Sequence, residues 1–186
     1  MPSGARLNEE AFMSPPRSSR FLSEDELLRD CRWDVFRGSG PGGQKRNKTS
    51  NAVRLTHLPS AIHVTATEAR SLAENKLHAV RRLRLKMVAD LREPIDVTHF
   101  SPPDWFLEIR HNKRIGVSHR HPWYAPAGGL VLDLLEVMHG NPAAVAVMLS
   151  VTTTVVIRLL ENVPVLWAAA NRIRNVCGMK ALTPRG

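Results

Sequence analysis

Residues 37–54 read Arg-Gly-Ser-Gly-Pro-Gly-Gly-Gln-Lys-Arg-Asn-Lys-Thr-Ser-Asn-Ala-Val-Arg, and no regular element can be built across their first half. Four glycines and one proline fall within the six residues Gly38 to Gly43. Glycine loses the most backbone entropy on ordering and proline removes a backbone donor, so neither a helix nor a central strand runs through such a string. The sequence predicts an irregular, mobile, exposed loop. One amide, Gln44, stands at its tip. Arg37 precedes it, Lys45, Arg46 and Lys48 follow, Arg54 closes the stretch, and no acid interrupts it. A polar tip on a cationic base suits insertion among phosphates. The plainer reading of the same composition is a solvated glycine-rich connection.

The charge of the whole chain favours the first of these. The formal net charge of the 186 residues is +9, which points to a polyanionic partner. The charge is unevenly placed: residues 1–92 hold 17 Lys and Arg against 10 Asp and Glu, and residues 93–186 hold 9 against 7. Cys31 and Cys177 are the two cysteines and form no CxxC, so neither a zinc module nor a disulfide scaffold is indicated, and they fit a reducing compartment. No apolar run reaches the length of a membrane span. The length fits one fair-sized domain or two small ones.

Residues 1–22 are rich in Pro, Ser, Gly and Arg without hydrophobic period and read as a disordered arm. They have no apolar core of a secretory signal, and Glu9 and Glu10 interrupt what would otherwise suit a transit peptide. Ser23 and Glu26 then have the spacing of a capping box, opening a short helix to about Asp30. Cys31, Trp33 and Val35 alternate with Arg32 and Asp34, a strand that leads into the loop. Beyond the loop, residues 51–57 and 62–67 flank Leu58-Pro59-Ser60-Ala61 and predict two strands on a tight turn. Thr67 is placed to cap a long helix from Glu68 to about Arg92. Ala73, Leu77, Val80, Met87 and Leu91, beside Leu72, Ala79 and Leu83, make its packing stripe. The other face carries Lys76, Arg81, Arg82, Arg84, Lys86 and Arg92. From Arg70 to Arg92 seven cations meet only Glu74 and Asp90. A charge run on a helix is ordinarily a solvated face, but this imbalance of sign beside a cationic loop favours RNA contact.

These elements make residues 23–95 one domain. Residues 96–128 read as an irregular basic and aromatic linker, punctuated by Pro102, Pro103, Pro122 and Pro126. Trp105 to Ile109 is expected to be a short strand. Arg110, His111, Lys113, Arg114, His119, Arg120 and His121 lie between the aromatic pairs Trp105/Phe106 and Trp123/Tyr124. Two readings stand for this segment: an RNA groove of cations interleaved with stacking surfaces, or a linker whose aromatics dock on a core. His119 and His121 have no Cys or carboxylate neighbours and do not make a metal site. Residues 129–186 read as an all-α module with helices over about 130–138, 143–148, 152–160 and from Pro164 to a stop at Gly178. The second and third have the spacing of a helix-turn-helix. The third offers only Thr152, Thr153, Thr154 and Arg158 as polar readers, so packing or ribosome docking is favoured over DNA recognition. Asn171, Arg172 and Arg174 are read as an RNA-facing edge.

The string Gly-Ser-Gly-Pro-Gly-Gly-Gln, with Asn47-Lys48 and Ala52-Val53-Arg54 after it, resembles the catalytic loop of class I peptide chain release factors. Leu55 to Val64 resembles the hairpin that follows that loop, and Arg70-Ser71 with Asn75-Lys76 resembles the opening of the family's long basic helix. The resemblance covers about Cys31 to Leu91. Ala61 departs from it, standing where the family usually has Gly. The fold implied is α+β: a small mixed sheet with one long basic helix, here followed by a small all-α module. The activity implied is hydrolysis of the peptidyl-tRNA ester in the ribosomal peptidyl transferase centre, with Gly42, Gly43 and Gln44 as the catalytic residues and no cofactor or metal. By the resemblance, the backbone N–H of Gln44 binds the oxyanion formed as water attacks, its side chain shapes the water site, and RNA supplies the rest. The sequence offers no nucleophile elbow, triad or metal string of its own. The ribosome- and RNA-binding residues expected are Arg37, Lys45, Arg46, Lys48, Arg54, Arg70, Lys76, Arg81, Arg82, Arg84 and Lys86.

The partners implied are the large ribosomal subunit with its rRNA, P-site peptidyl-tRNA and a methyltransferase acting on Gln44. A monomer in the bacterial cytoplasm is expected, with the mitochondrion as the alternative. Stop-codon release factors carry a codon-reading domain ahead of the GGQ domain, whereas residues 1–30 alone precede the catalytic region here. The chain is therefore expected to resemble the short, codon-independent rescue hydrolases, although those end in a Lys/Arg-rich tail and this one ends Thr183-Pro184-Arg185-Gly186. The alternatives are a non-catalytic ribosome- or RNA-binding factor and a DNA-binding regulator. The intact Gly-Gly-Gln speaks against the former, the apolar third helix against the latter.

Overall fold

The computed structural model describes residues 22–37 and 51–184. Apart from Leu22, the arm expected over residues 1–22 lies outside them. Helix α1 (Glu24–Arg29) starts as its sequence dictates: Ser23 Oγ accepts from Glu26 N at 3.2 Å and Glu26 Oε2 accepts from Ser23 N at 2.8 Å. Strands β1 (Cys31–Phe36), β2 (Ala52–His57) and β3 (His63–Ala66) follow in sheet order β1-β2-β3. Both ladders are antiparallel, with Cys31 opposite His57, Phe36 opposite Ala52 and Val53 opposite Ala66. A mixed sheet was expected; each strand instead turns straight back on its neighbour, so no crossover is needed. The tight turn between β2 and β3 closes with His57 N donating to Ile62 O at 2.9 Å, and Ala61 takes φ +56° there.

Helix α2 (Leu72–Asp90) lies against this sheet. It begins four residues later than Thr67-Glu68 suggests, because the side chain that caps it is Ser71, accepting from Glu74 N. Its buried set is Asn75, Ala79, Val80, Leu83, Met87, Val88 and Ala89. Ala73 and Leu77, expected in the stripe, are exposed. The helix packs on two sides, which a single stripe cannot express. Val53, Leu55 and Ala66 meet Ala79, Val80, Leu83, Met87 and Leu27 in one core. Val88 and Ala89 enter a second core with Phe106, Leu132, Leu134 and Leu166.

That second core is helical. Residues 104–109 form helix α3 (Asp104–Ile109) where a strand was expected. Phe106 and Ile109, three apart, are buried while Leu107 between them is exposed, a helical and not an alternating pattern. A two-residue hairpin, β4 (Arg110–His111) and β5 (Arg114–Ile115), follows. Helix α4 (Tyr124–Val137) starts six residues before Leu130, the expected start. Pro126 and Gly128-Gly129 look like breakers, but Pro126 sits in the first turn, where its missing N–H has no intrahelical partner to lose. Gly128 lies where α4 crosses α7 (Pro164–Val176): a Cβ there would stand 2.7 Å from Leu166 Cδ1. Helices α5 (Pro142–Met148) and α6 (Thr153–Glu161) complete the set, capped by the side chains of Asn141 and Thr152.

Candidate functional site

The site is organised by the end of the β1–β2 ladder. Phe36 and Ala52 are partners in the register, so the segment 38–50 leaves and re-enters the sheet at one place. Gly42, Gly43, Gln44, Lys45, Arg46 and Lys48 belong to that segment and lie outside the described residues. The residues that receive it are described. Asn75, fully buried at the start of α2, donates from Nδ2 to Asn51 O at 2.7 Å and to Ala69 O at 3.0 Å. Its Oδ1 accepts from Ala69 N at 2.9 Å. Asn51 reciprocates, donating from its own amide to Ala69 O at 3.2 Å. Two side-chain amides thus tie the start of β2 to the turn before α2. The sequence reading missed this role. The one signal was a polar residue at a position, between Leu72 and Ala79, that helical spacing turns toward the sheet.

Among the described residues, the expected RNA-binding cations divide between the sheet and α2. Arg37, Arg70 and Arg81 are exposed and make no ion pair among the described residues. Arg54 stands on the sheet face opposite Val53 and Leu55, its guanidinium carbon 6.0 Å from the Phe36 ring centroid. Lys76 lies over Trp33, with Nζ 5.4 Å from the ring centroid. Along α2 the cations divide. Arg82 donates to Thr65 O at 2.6 Å and bridges both oxygens of Glu68 at 2.7 and 3.2 Å. Lys86 pairs with Asp90 one turn on. On the other side Arg84 is half-buried and donates to Leu22 O at 2.8 Å. Burial pulls its guanidinium below the ordinary value, against the attraction of Glu24. Burial pushes the Glu68 carboxyl up, but hydrogen bonds from Thr67 and His78 and the charge of Arg82 hold it, on balance, below its ordinary value.

Of the edge expected from Asn171, Arg172 and Arg174, the third is buried, the first is half-buried, and Arg172 stays exposed. Arg174 is buried, donating to Lys180 O at 2.7 Å and also to Gly140 O. Arg172 pairs with Asp90 at 3.2 Å, and Asn171 Oδ1 accepts from Leu182 N at 2.7 Å. The polar end of α7 therefore fastens that helix to α2 and to the chain that follows it. In the segment read as either groove or linker, Trp105 and Trp123 stack at 5.3 Å and 15° between planes, and Phe106 docks fully in the helical core. Among the described residues no three His, Cys, Asp or Glu side chains gather as metal ligands would.

Residues 26–97 match the RF-1 domain, from α1 through the sheet and α2. The chain is 38% identical over 122 residues to peptide chain release factor 2 of Saccharopolyspora erythraea, covering 63% of this chain and 30% of that one. It is 50% identical over 64 residues to peptide chain release factor 1 of a Parafrankia species, covering 34% and 18%. It is equally 50% identical over 64 residues to peptide chain release factor 2 of Rhodococcus erythropolis, covering 34% and 17%. The chain thus spans less than a third of the length of each release factor it matches here.

Proposed function

We propose, from the premise that residues 26–97 are an RF-1 domain, the GGQ-containing domain of class I release factors, that the protein hydrolyses the peptidyl-tRNA ester on the ribosome. The observation that carries this is the Gly42-Gly43-Gln44 string, set between two paired strands of that domain. The attacking water adds to the ester carbonyl carbon, the bond to the tRNA ribose oxygen breaks, and a free peptide and deacylated tRNA leave. The backbone N–H of Gln44 stabilises the oxyanion. A main-chain donor suits this task, since its orientation is set before charge develops. Gly42 and Gly43 give the backbone conformations and close approach that a Cβ forbids. Arg37, Lys45, Arg46, Lys48, Arg54, Arg70, Lys76 and Arg81 serve as contacts to rRNA and tRNA phosphates, with Arg82, Arg84 and Lys86 supporting them from within local pairs. Gln44 is the natural target of a glutamine methyltransferase. The protein works as a monomer in the cytoplasm.

We further propose that release needs no stop codon, as in ribosome rescue. What supports this is that the described residues beyond the matched domain, 104–184, build a helical unit packed on α2. Release of labelled peptide from ribosomes carrying P-site peptidyl-tRNA tests both parts. An empty A site is expected to support release at least as well as a stop codon, and a sense codon with full-length mRNA to support little. Release confined to the stop codon would overturn codon independence and leave the hydrolase reading standing.

A further inference from the structure

The matched domain and the helical unit enclose a groove of about 470 Å³ between α2 and the turns that lead into α4. One wall is Arg81 and Arg84 of α2, three residues apart and so on one side of the helix. The other is His119, Arg120 and His121, which lie beyond the matched residues 26–97. Glu24 is the one carboxylate among the lining residues. Arg81 and Arg120 are exposed and form no ion pair among the described residues, while Arg84 donates to the Leu22 carbonyl and is attracted by Glu24. Trp123 N donates to His121 Nδ1 at 3.2 Å, which puts the proton of the neutral ring on Nε2, a donor. Ala125 and Pro126 in the first turn of α4 also line the groove, so the positive end of that helix adds to the field.

We infer that this groove is a second binding site, distinct from the Gly-Gly-Gln segment, and that it takes the phosphodiester backbone of RNA. Three guanidinium groups, two imidazoles and a helix N-terminus around one carboxylate make a site for an extended polyanion. Guanidinium forks match phosphate oxygens. The stacked Trp105/Trp123 pair beside the groove, half-buried, supplies the aromatic surface that unpaired bases use. That the RNA is ribosomal rests on the proposed function; that the groove binds RNA does not.

The test is the full chain titrated into a fluorescein-labelled, twelve-nucleotide single-stranded RNA over a range of salt. Charge reversal at Arg81 and Arg120 together (R81E/R120E) is expected to weaken binding at least tenfold more than reversal at Arg158 and Lys180, which changes the net charge equally elsewhere. Neutralising the same two groove residues is expected to lower the slope of log K against log salt by about 1.4, at ~0.7 for each phosphate of a single strand that is no longer neutralised. Equal weakening by the two reversal pairs would overturn the assignment. So would equally strong competition by a poly-glutamate peptide of matched charge, which would make the partner an acidic protein. Because both groove residues are exposed, folding is expected to be unchanged by circular dichroism. The single neutral variant R120Q carries the test if the reversal unfolds the chain: it is expected to weaken binding three- to fivefold, and unchanged binding would count against the site. RNA binding that maps to the groove in a protein unable to release peptide would sink the hydrolase reading and leave this one intact.

Discussion

Asn75 is the residue through which α2 acts on the sheet end. Its amide satisfies Asn51 O, Ala69 O and Ala69 N in a fully buried place. Removing it leaves the part-buried Asn51 carbonyl and Ala69 N–H without this partner, and a group left unsatisfied in a buried place costs about 1–3 kcal/mol. Asn75→Ala is expected to lower stability by about 2–3 kcal/mol in urea unfolding. A variant within a few tenths of wild type would show that the clasp carries nothing. At this scale the sequence was legible where chemistry is local. The Ser23/Glu26 box reads from spacing alone and forms as spaced. Ala61 was singled out only as a departure from a family pattern; the structure gives the physical content, since it holds a non-glycine residue at φ +56°. Asn75 could not be read as a clasp because its partners, Asn51 and Ala69, are brought to it only by packing.

Among elements, α2 is the one that does two jobs. Its middle packs on the sheet and its last turns pack on α4 and α7. Just past its end Arg92 pairs with Asp133 of α4 at 3.2 Å, and Asp133 Oδ1 also accepts from Glu93 N at 3.3 Å. The Asp133 side chain is wholly buried. Breaking such a pair from one side leaves an uncompensated charge, whereas replacing both partners by apolar residues costs far less. Asp133→Ala is expected to destabilise by about 3–5 kcal/mol, and the double variant Asp133→Leu/Arg92→Met by clearly less than that. Additive losses in the double-mutant cycle would contradict the pairing. A one-dimensional stripe reads one packing face, and this is why Ala73 and Leu77 were placed inside and Val88 and Ala89 were not. The same limit hid α3 and the start of α4. Trp105 to Ile109 is too short to separate a three-residue from a two-residue period, and Pro126 with two glycines reads as a linker until Leu166 shows what Gly128 makes room for.

At the scale of the molecule, two cores share one helix, and the basic residues divide by what they face. Arg174 is buried in the fold; Arg172, Arg82 and Lys86 pair with acids at its surface; Arg54, Arg70, Arg81 and Arg120 are exposed. The sum of charge was readable in the sequence, but this division was not, because Glu68, Asp90 and the carbonyl of Gly140 are matched to their cations only in three dimensions. The proposed chemistry asks little of side chains and much of backbone: a main-chain donor, two glycines, and cations that hold RNA. That demand makes the glycine more consequential than the glutamine side chain. The decisive measurement is the rate of peptide release from ribosomes with P-site peptidyl-tRNA, for wild type, Gly43→Ala and Gln44→Ala, with ribosome binding measured in parallel. Loss of one oxyanion donor costs roughly 3–4 kcal/mol of barrier, a fall of about 10²–10³ in rate. Gly43→Ala is expected to show a fall of that size with binding retained, and Gln44→Ala a smaller one. Release by Gly43→Ala at the wild-type rate, or no release by the wild type while it binds the ribosome, would contradict the account.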